Sequence, residues 1–195
     1  MITMIPRVLG YLFYYSPTKD GYSEALNLLP NLPQALDEDN QGAASALVSQ
    51  INVNENRDEL EQRYNQLFVG LGELTAPPWG SVYLDSEGIV MGESTVDFRQ
   101  FLAINGIELT TEMNEPEDQF GLMLMTFAQL MELESYEAAA ELLQVHLLPW
   151  APRYLELLIA ENDSFYSQLA QLADIYLNEL KEAFEIVPVA RPLFR

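Results

Sequence analysis

The chain contains no cysteine, a single histidine and only nine basic residues against thirty acidic ones. Without cysteine there are no disulfides, no thiolate metal sites and no thiol nucleophile, and the absence suits a reducing compartment such as the cytoplasm. One histidine, His146, rules out a two-histidine metal site. A histidine-based hydrolase would also need a serine on a strained Gly-x-Ser-x-Gly turn, which the sequence lacks. The formal charge of −21 excludes nucleic acid as a natural partner, because phosphates are bound by neutralising them with lysine and arginine. A cationic partner suits this surface, although acidity also serves plain solubility. Long apolar runs are missing too. The uncharged stretch Gln119 to Met131 falls well below the roughly 20 residues a spanning helix requires, so no integral membrane segment is expected. Val8 to Tyr15 is followed by the turn Ser16-Pro17-Thr18-Lys19-Asp20 and by no small-residue cleavage site, which argues against a signal peptide.

What is present reads as helix. At 195 residues and 49% hydrophobic the chain can form one well-packed core, and a single all-α, bundle-like domain over 1–195 is expected. A first helix is predicted from about Pro6 to Tyr15. A second, capped by Asn54, carries Leu60, Tyr64, Leu67 and Phe68 on one face and ends at Gly70. Ser94 caps a third that stops at Asn105-Gly106. A central helix follows Asn114 with Pro116 in its first turn and Phe120, Leu124, Phe127 and Met131 at helical spacing. Ser135 starts another toward Leu148, interrupted by Pro149 and Pro152 around Trp150, and Ser164 opens a last one to about Phe184. Segment 31–41 reads as a polar connection before a short helix around Gln41 to Gln50. The stretch Leu71 to Gly92, with two prolines, four glycines and Trp79, reads as a long irregular segment, and such loops usually carry function.

Apparent catalytic motifs weaken on inspection. Asp37-Glu38-Asp39-Asn40-Gln41-Gly42 opens like a calcium loop, but the twelfth position holds Val48 where a bidentate Glu is needed. Gly70-Leu71-Gly72 begins like a dinucleotide fingerprint, yet Thr75 stands at the third glycine and a helix precedes it. No metal and no cofactor are therefore expected. Glu115, Glu117 and Asp118 could work as acid/base groups, but acids in the first turn of a helix are expected from its dipole alone.

Three blocks taken together are more telling: Ala76-Pro77-Pro78-Trp79-Gly80-Ser81-Val82-Tyr83-Leu84-Asp85, Asn114-Glu115-Pro116-Glu117-Asp118-Gln119-Phe120 and His146-Leu147-Leu148-Pro149-Trp150. With Leu67-Phe68-Val69-Gly70 and the run Pro188 to Arg195, they resemble the DmsD/TorD family of redox-enzyme maturation chaperones. The resemblance covers most of the chain and is weakest across Gly21 to Asn56. It implies an all-helical, non-enzymatic cytoplasmic chaperone. The implied partner is the twin-arginine leader of a dimethyl sulfoxide reductase-like molybdoenzyme catalytic subunit, held until maturation is complete, with the twin-arginine translocase as a further partner. It also implies a leader groove formed or supported by Tyr14, Tyr64, Leu67, Phe68, Gly72, Pro78, Trp79, Tyr83, Gly92, Glu115, Pro116, Asp118 and Gln119, with His146 and Trp150 as a structural brace. Two positions depart from the family pattern. Gln119 stands where a histidine is usual, and Gly72 where close relatives carry tryptophan, which removes a large apolar anchor. A same-family chaperone for another molybdoenzyme is the nearer alternative, and an acidic helical enzyme using Glu115, Asp118 and His146 is the distant one.

Overall fold

A computed structural model describes residues 3–69, 73–109 and 115–195 of the chain. Ten α-helices follow in order among them: α1 Met4–Tyr14, α2 Tyr22–Leu28, α3 Glu38–Gln50, α4 Arg57–Tyr64, α5 Gly80–Leu84, α6 Glu93–Ile104, α7 Phe120–Glu132, α8 Tyr136–Glu141, α9 Ala151–Ala160 and α10 Tyr166–Ala183. A 3₁₀ helix at Leu29–Ala35 links α2 to α3. π-helical turns extend α4 over Asn65–Val69 and α8 over Leu142–Leu147. The architecture is all-α, and among the described residues the only β pairing is an isolated antiparallel bridge between Trp79 and Gln119.

Helix α7 occupies the centre because its sequence is apolar nearly all round. Phe120, Leu124 and Phe127 are fully buried, with Met131 packed at the edge of the core. Helix α1 lies along it, burying Leu9, Leu12 and Phe13, and the Phe13 and Phe120 rings meet edge to face at 5.1 Å. The two helices touch at glycines. A Cβ on Gly10 would stand 2.6 Å from the Gly121 carbonyl oxygen, and one on Gly121 would stand 2.5 Å from that of Gly10. The second layer pairs α9 with α10, which bury Tyr154, Leu155 and Leu158 and Leu169, Leu172 and Ala173 respectively, and α3 packs on α10.

Several boundaries differ from the sequence expectations, each for a local reason. The Asn56 side chain caps α4, accepting from the amides of Asp58 and Glu59, so the cap is two residues beyond Asn54. Helix α6 starts from Gly92, and Ser94 sits inside it, its amide and hydroxyl both bonded to the Asp85 carboxylate. Gly106 does supply the left-handed stop at φ +66. Pro116 lies in the approach to α7 and not in its first turn, because Gln119 is the capping residue. Asp163, not Ser164, caps α10 by accepting from the amides of Phe165 and Tyr166. Residues 31–35 of the expected polar connection belong to the 3₁₀ helix, which buries Leu32 and Pro33, and α3 begins three residues ahead of the expected Gln41. The predicted end at Gly70 lies outside the described residues. The irregular segment before Gly92 contains the short helix α5.

Candidate functional site

The segment Pro77-Pro78-Trp79-Gly80 belongs to no sheet ladder, and its two prolines carry no amide donor. It is held by the chain that leads into α7. The Phe120 amide donates to the Pro78 carbonyl at 2.8 Å, and the Gly80 amide donates to the Asp118 carbonyl at 3.1 Å. Asp118 then reaches beneath this pairing. Its Oδ2 accepts the Ser81 amide at 2.7 Å, satisfying a donor at the start of α5. The side chain is 1% exposed. Burial pushes its pKa up, opposed by the Ser81 amide and by the nearby hydroxyls of Ser81 and Thr95. Oδ1 has no well-formed hydrogen bond among the described residues, although those hydroxyls lie close enough to favour the charge.

Above this pairing opens a cavity of about 370 Å³ lined by Tyr14, Ser16, Glu61, Tyr64, Asn65, Phe68, Val69, Pro78, Trp79, Glu115 and Gln119. One wall is α4 with its π-helical turn, the other is Pro78-Trp79 with Glu115 and Gln119, and the end of α1 closes the floor. The Trp79 indole Nε1 donates to Glu115 Oε1 at 2.6 Å, which fixes the ring on the wall. Burial raises the Glu115 pKa, with the indole hydrogen bond opposing and the Asp118 charge adding to the rise. Gln119 is engaged at both ends. Its Oε1 accepts the Leu122 amide at 3.0 Å, and its Nε2 donates to the Phe13 carbonyl at 3.1 Å, tying the start of α7 to the end of α1. On the far rim, Glu61 Oε1 accepts from the Ser16 and Thr18 hydroxyls, each at 3.0 Å.

Seven of the residues expected from sequence therefore line one cavity: Tyr14, Tyr64, Phe68, Pro78, Trp79, Glu115 and Gln119. Others lie behind it. Leu67 is half-buried against the core, Pro116 is buried in the approach to α7, and Asp118 sits beneath the wall. Tyr83 is fully buried and stacks on Trp150 with ring centres 5.4 Å apart. Gly92 is elsewhere, against the Asp85 carboxylate, where a Cβ would meet Oδ2 at 2.0 Å. Gly72 lies outside the described residues.

His146 and Trp150, the two residues expected as a brace, lie next to the start of α5. The Trp150 indole donates to the His146 carbonyl at 2.8 Å, and Gly80 passes so close that a Cβ there would stand 2.9 Å from the indole nitrogen. The His146 ring packs 5.3 Å from Phe98 and 4.9 Å from Phe101. Burial, with the Arg191 charge, pushes its pKa down to about 4, so the ring is neutral near pH 7. Asp118 and His146 share only a void of about 10 Å³, room for about one water, while Glu115 faces the cavity above. The three groups proposed for an enzyme do not surround a common substrate space.

The lining residues Ser16, Glu61, Asn65 and Val69 were missed by sequence reasoning. Glu61, Tyr64, Asn65 and Phe68 follow at i, i+3, i+4 and i+7, a single helical stripe. That spacing was available; scoring only apolar residues shifted the chosen face toward Leu60 and Leu67.

Residues 30–156 match the family model described as nitrate reductase delta subunit. The chain is 39% identical over 191 residues to the Tat proofreading chaperone DmsD of Salmonella typhi, across 97% of this chain and 93% of the relative. It is 29% identical over 160 residues to the chaperone protein TorD of Aliivibrio fischeri, across 74% of this chain and 73% of the relative. A crystal structure of a protein assigned to redox enzyme maturation from Archaeoglobus fulgidus superposes with a TM-score of 0.63 at 16% identity, covering 90% of this chain and 94% of that one, and shares the fold. With nearly its whole length aligned to DmsD and the family model matched through its middle, the chain belongs to the DmsD/TorD group of the nitrate reductase delta subunit family.

Proposed function

We propose that this protein is a non-enzymatic cytoplasmic chaperone that binds the twin-arginine leader of a dimethyl sulfoxide reductase-like molybdoenzyme subunit and delays export until the precursor has matured. The observation that carries the reading is the cavity itself, which the aromatic rings of Tyr14, Tyr64, Phe68 and Trp79 line together with the acidic side chains of Glu61 and Glu115. A leader of this kind pairs a cationic start with an apolar stretch, and both halves find complementary surface there. Burying about 400 Å² of apolar leader surface at about 25 cal/mol per Å² yields roughly 10 kcal/mol before association costs of several kcal/mol. Rim ion pairs contribute about 0.2 to 1 kcal/mol each. Apolar contacts thus set affinity, and charge sets approach and orientation. The relatives named Tat proofreading chaperone DmsD and chaperone protein TorD favour a maturation role, and the dimethyl sulfoxide reductase client is what the family resemblance of the sequence blocks implies.

Calorimetric titration with a panel of twin-arginine leaders tests this. Tightest binding is expected for the dimethyl sulfoxide reductase-type leader, weakened when its arginines become glutamines or its apolar stretch is interrupted. Equal binding of an unrelated cationic peptide would overturn the reading, and preference for another molybdoenzyme leader would reassign the client.

A further inference from the structure

The groove wall that carries Trp79 is gripped on both sides by two residues that do not line the groove. Four residues beyond Trp79, the Tyr83 carbonyl accepts the Phe194 amide at 2.9 Å. Four and five residues before it, the carbonyls of Thr75 and Leu74 accept from the Arg195 guanidinium, the Thr75 contact at 3.4 Å. The third guanidinium nitrogen lies 3.6 Å from the Glu73 carboxylate. The Arg195 carbonyl in turn accepts from Arg153 Nε at 3.3 Å, anchoring the grip to α9.

An irregular segment is opposed in any single conformation by its backbone entropy, and residues 73–79 are not held by a helix or sheet ladder. A planar guanidinium with several fixed donors holds two adjacent carbonyls together, which a point-charge ammonium does less well. We propose that Phe194 and Arg195 act as a clamp that positions Trp79 for its ligand, so that residues remote from the groove set its affinity. The consequence for leader binding rests on the function proposed above. The positioning itself does not.

The chain has two tryptophans, so the nitrogen–proton indole resonances give a ligand-free readout, with the Trp79 signal assigned by Trp79→Phe. In Arg195→Ala the Trp79 resonance is expected to shift or broaden, while that of the fully buried Trp150 stays in place. Leader affinity should fall about three- to tenfold. On a Trp79→Ala background, Arg195→Ala should cause no further loss, because residues acting through one contact are not additive. Arg195→Lys should recover part of the affinity. An unmoved Trp79 resonance, movement of both resonances together, or fully additive losses would each overturn the clamp. If the parent binds no twin-arginine leader, the functional reading fails, and the indole resonance still decides whether the clamp exists.

Discussion

Replacing Asp118 separates its structural work from any contact with a ligand. The carboxylate is buried, caps the Ser81 amide at 2.7 Å and lies beneath the groove wall. Asp118→Ala leaves that amide buried and unpaired, a loss of about 1 to 3 kcal/mol. At about 2 to 4 °C per kcal/mol for a domain of this size, the midpoint should fall by roughly 2 to 12 °C. Asp118→Asn keeps an oxygen to accept the amide and removes the buried charge. Because burial holds the folded-state pKa above the unfolded one, the protonated form is favoured in the fold. That contribution is complete below the unfolded value near about 3.9 and is lost as pH rises through the folded value. Asn does not titrate, so Asp118→Asn should gain stability relative to the parent as pH is raised through the assay range from about 4, near the unfolded-state ionisation, to about 7.5. Urea denaturation of the three proteins at both pH values, with leader titrations at low and high salt, is the assay. The Asn variant should keep the parent's salt dependence of binding, because the side chain does not line the groove. A salt-sensitive loss of affinity in a fully stable Asn variant would place the carboxylate against the leader arginines and refute the reasoning.

Three further outcomes are expected. Trp79→Ala should weaken leader binding by more than about 1 kcal/mol while leaving circular dichroism unchanged, since the ring is half-buried on a cavity wall; unchanged affinity would move the leader elsewhere. In Gln119→His the new ring would occupy a site now 2% exposed, so burial should depress its pKa, and leader affinity should stay flat from about pH 7.5 to 5.5. Stability should instead fall as pH drops below the unfolded value near about 6.5, and an acid-dependent loss of affinity at constant stability would contradict this. His146, with a folded pKa of about 4, likewise stabilises the fold above its unfolded value and loses up to about 3 kcal/mol as pH falls through the window between them; thermal scans should show His146→Gln with a flatter acid limb than the parent.

Helices α1, α6 and α7 were legible in the sequence because their apolar residues repeat at helical spacing and Asn105-Gly106 marks a stop. Helix α3 was expected over Gln41 to Gln50 and only its first turn was missed, since just Ala44 and Val48 of its thirteen residues are buried and no apolar stripe marks where it starts. The caps of α6 and α10 were misplaced because the nearest serine is not the group that satisfies the amides; Asp85 does so across a loop, and Asp163 from one residue earlier. The cavity was harder still. Its Trp79 wall exists through pairing with Gln119, forty residues away, and no local pattern encodes that bridge. Most lining residues were named from family resemblance, while the stripe through Glu61 and Asn65 was readable from helical spacing alone.

The contact between Gly10 and Gly121 sets a dimension of the groove that no side chain can adjust. Where α1 crosses α7 the two backbones already touch, and just beyond the crossing α1 ends at Tyr14 and α7 begins after Gln119. The floor therefore has a fixed gauge. If the cavity takes a leader as proposed, a bulkier one would not be received by the helices sliding apart, since even a methyl group on either glycine would pry them open. On the proposed function, tolerance for different clients would reside in the walls, in the face of α4 with its π-helical turn and in the Trp79 segment. Evolution or design aimed at a new client would then recut those walls and leave the crossing alone.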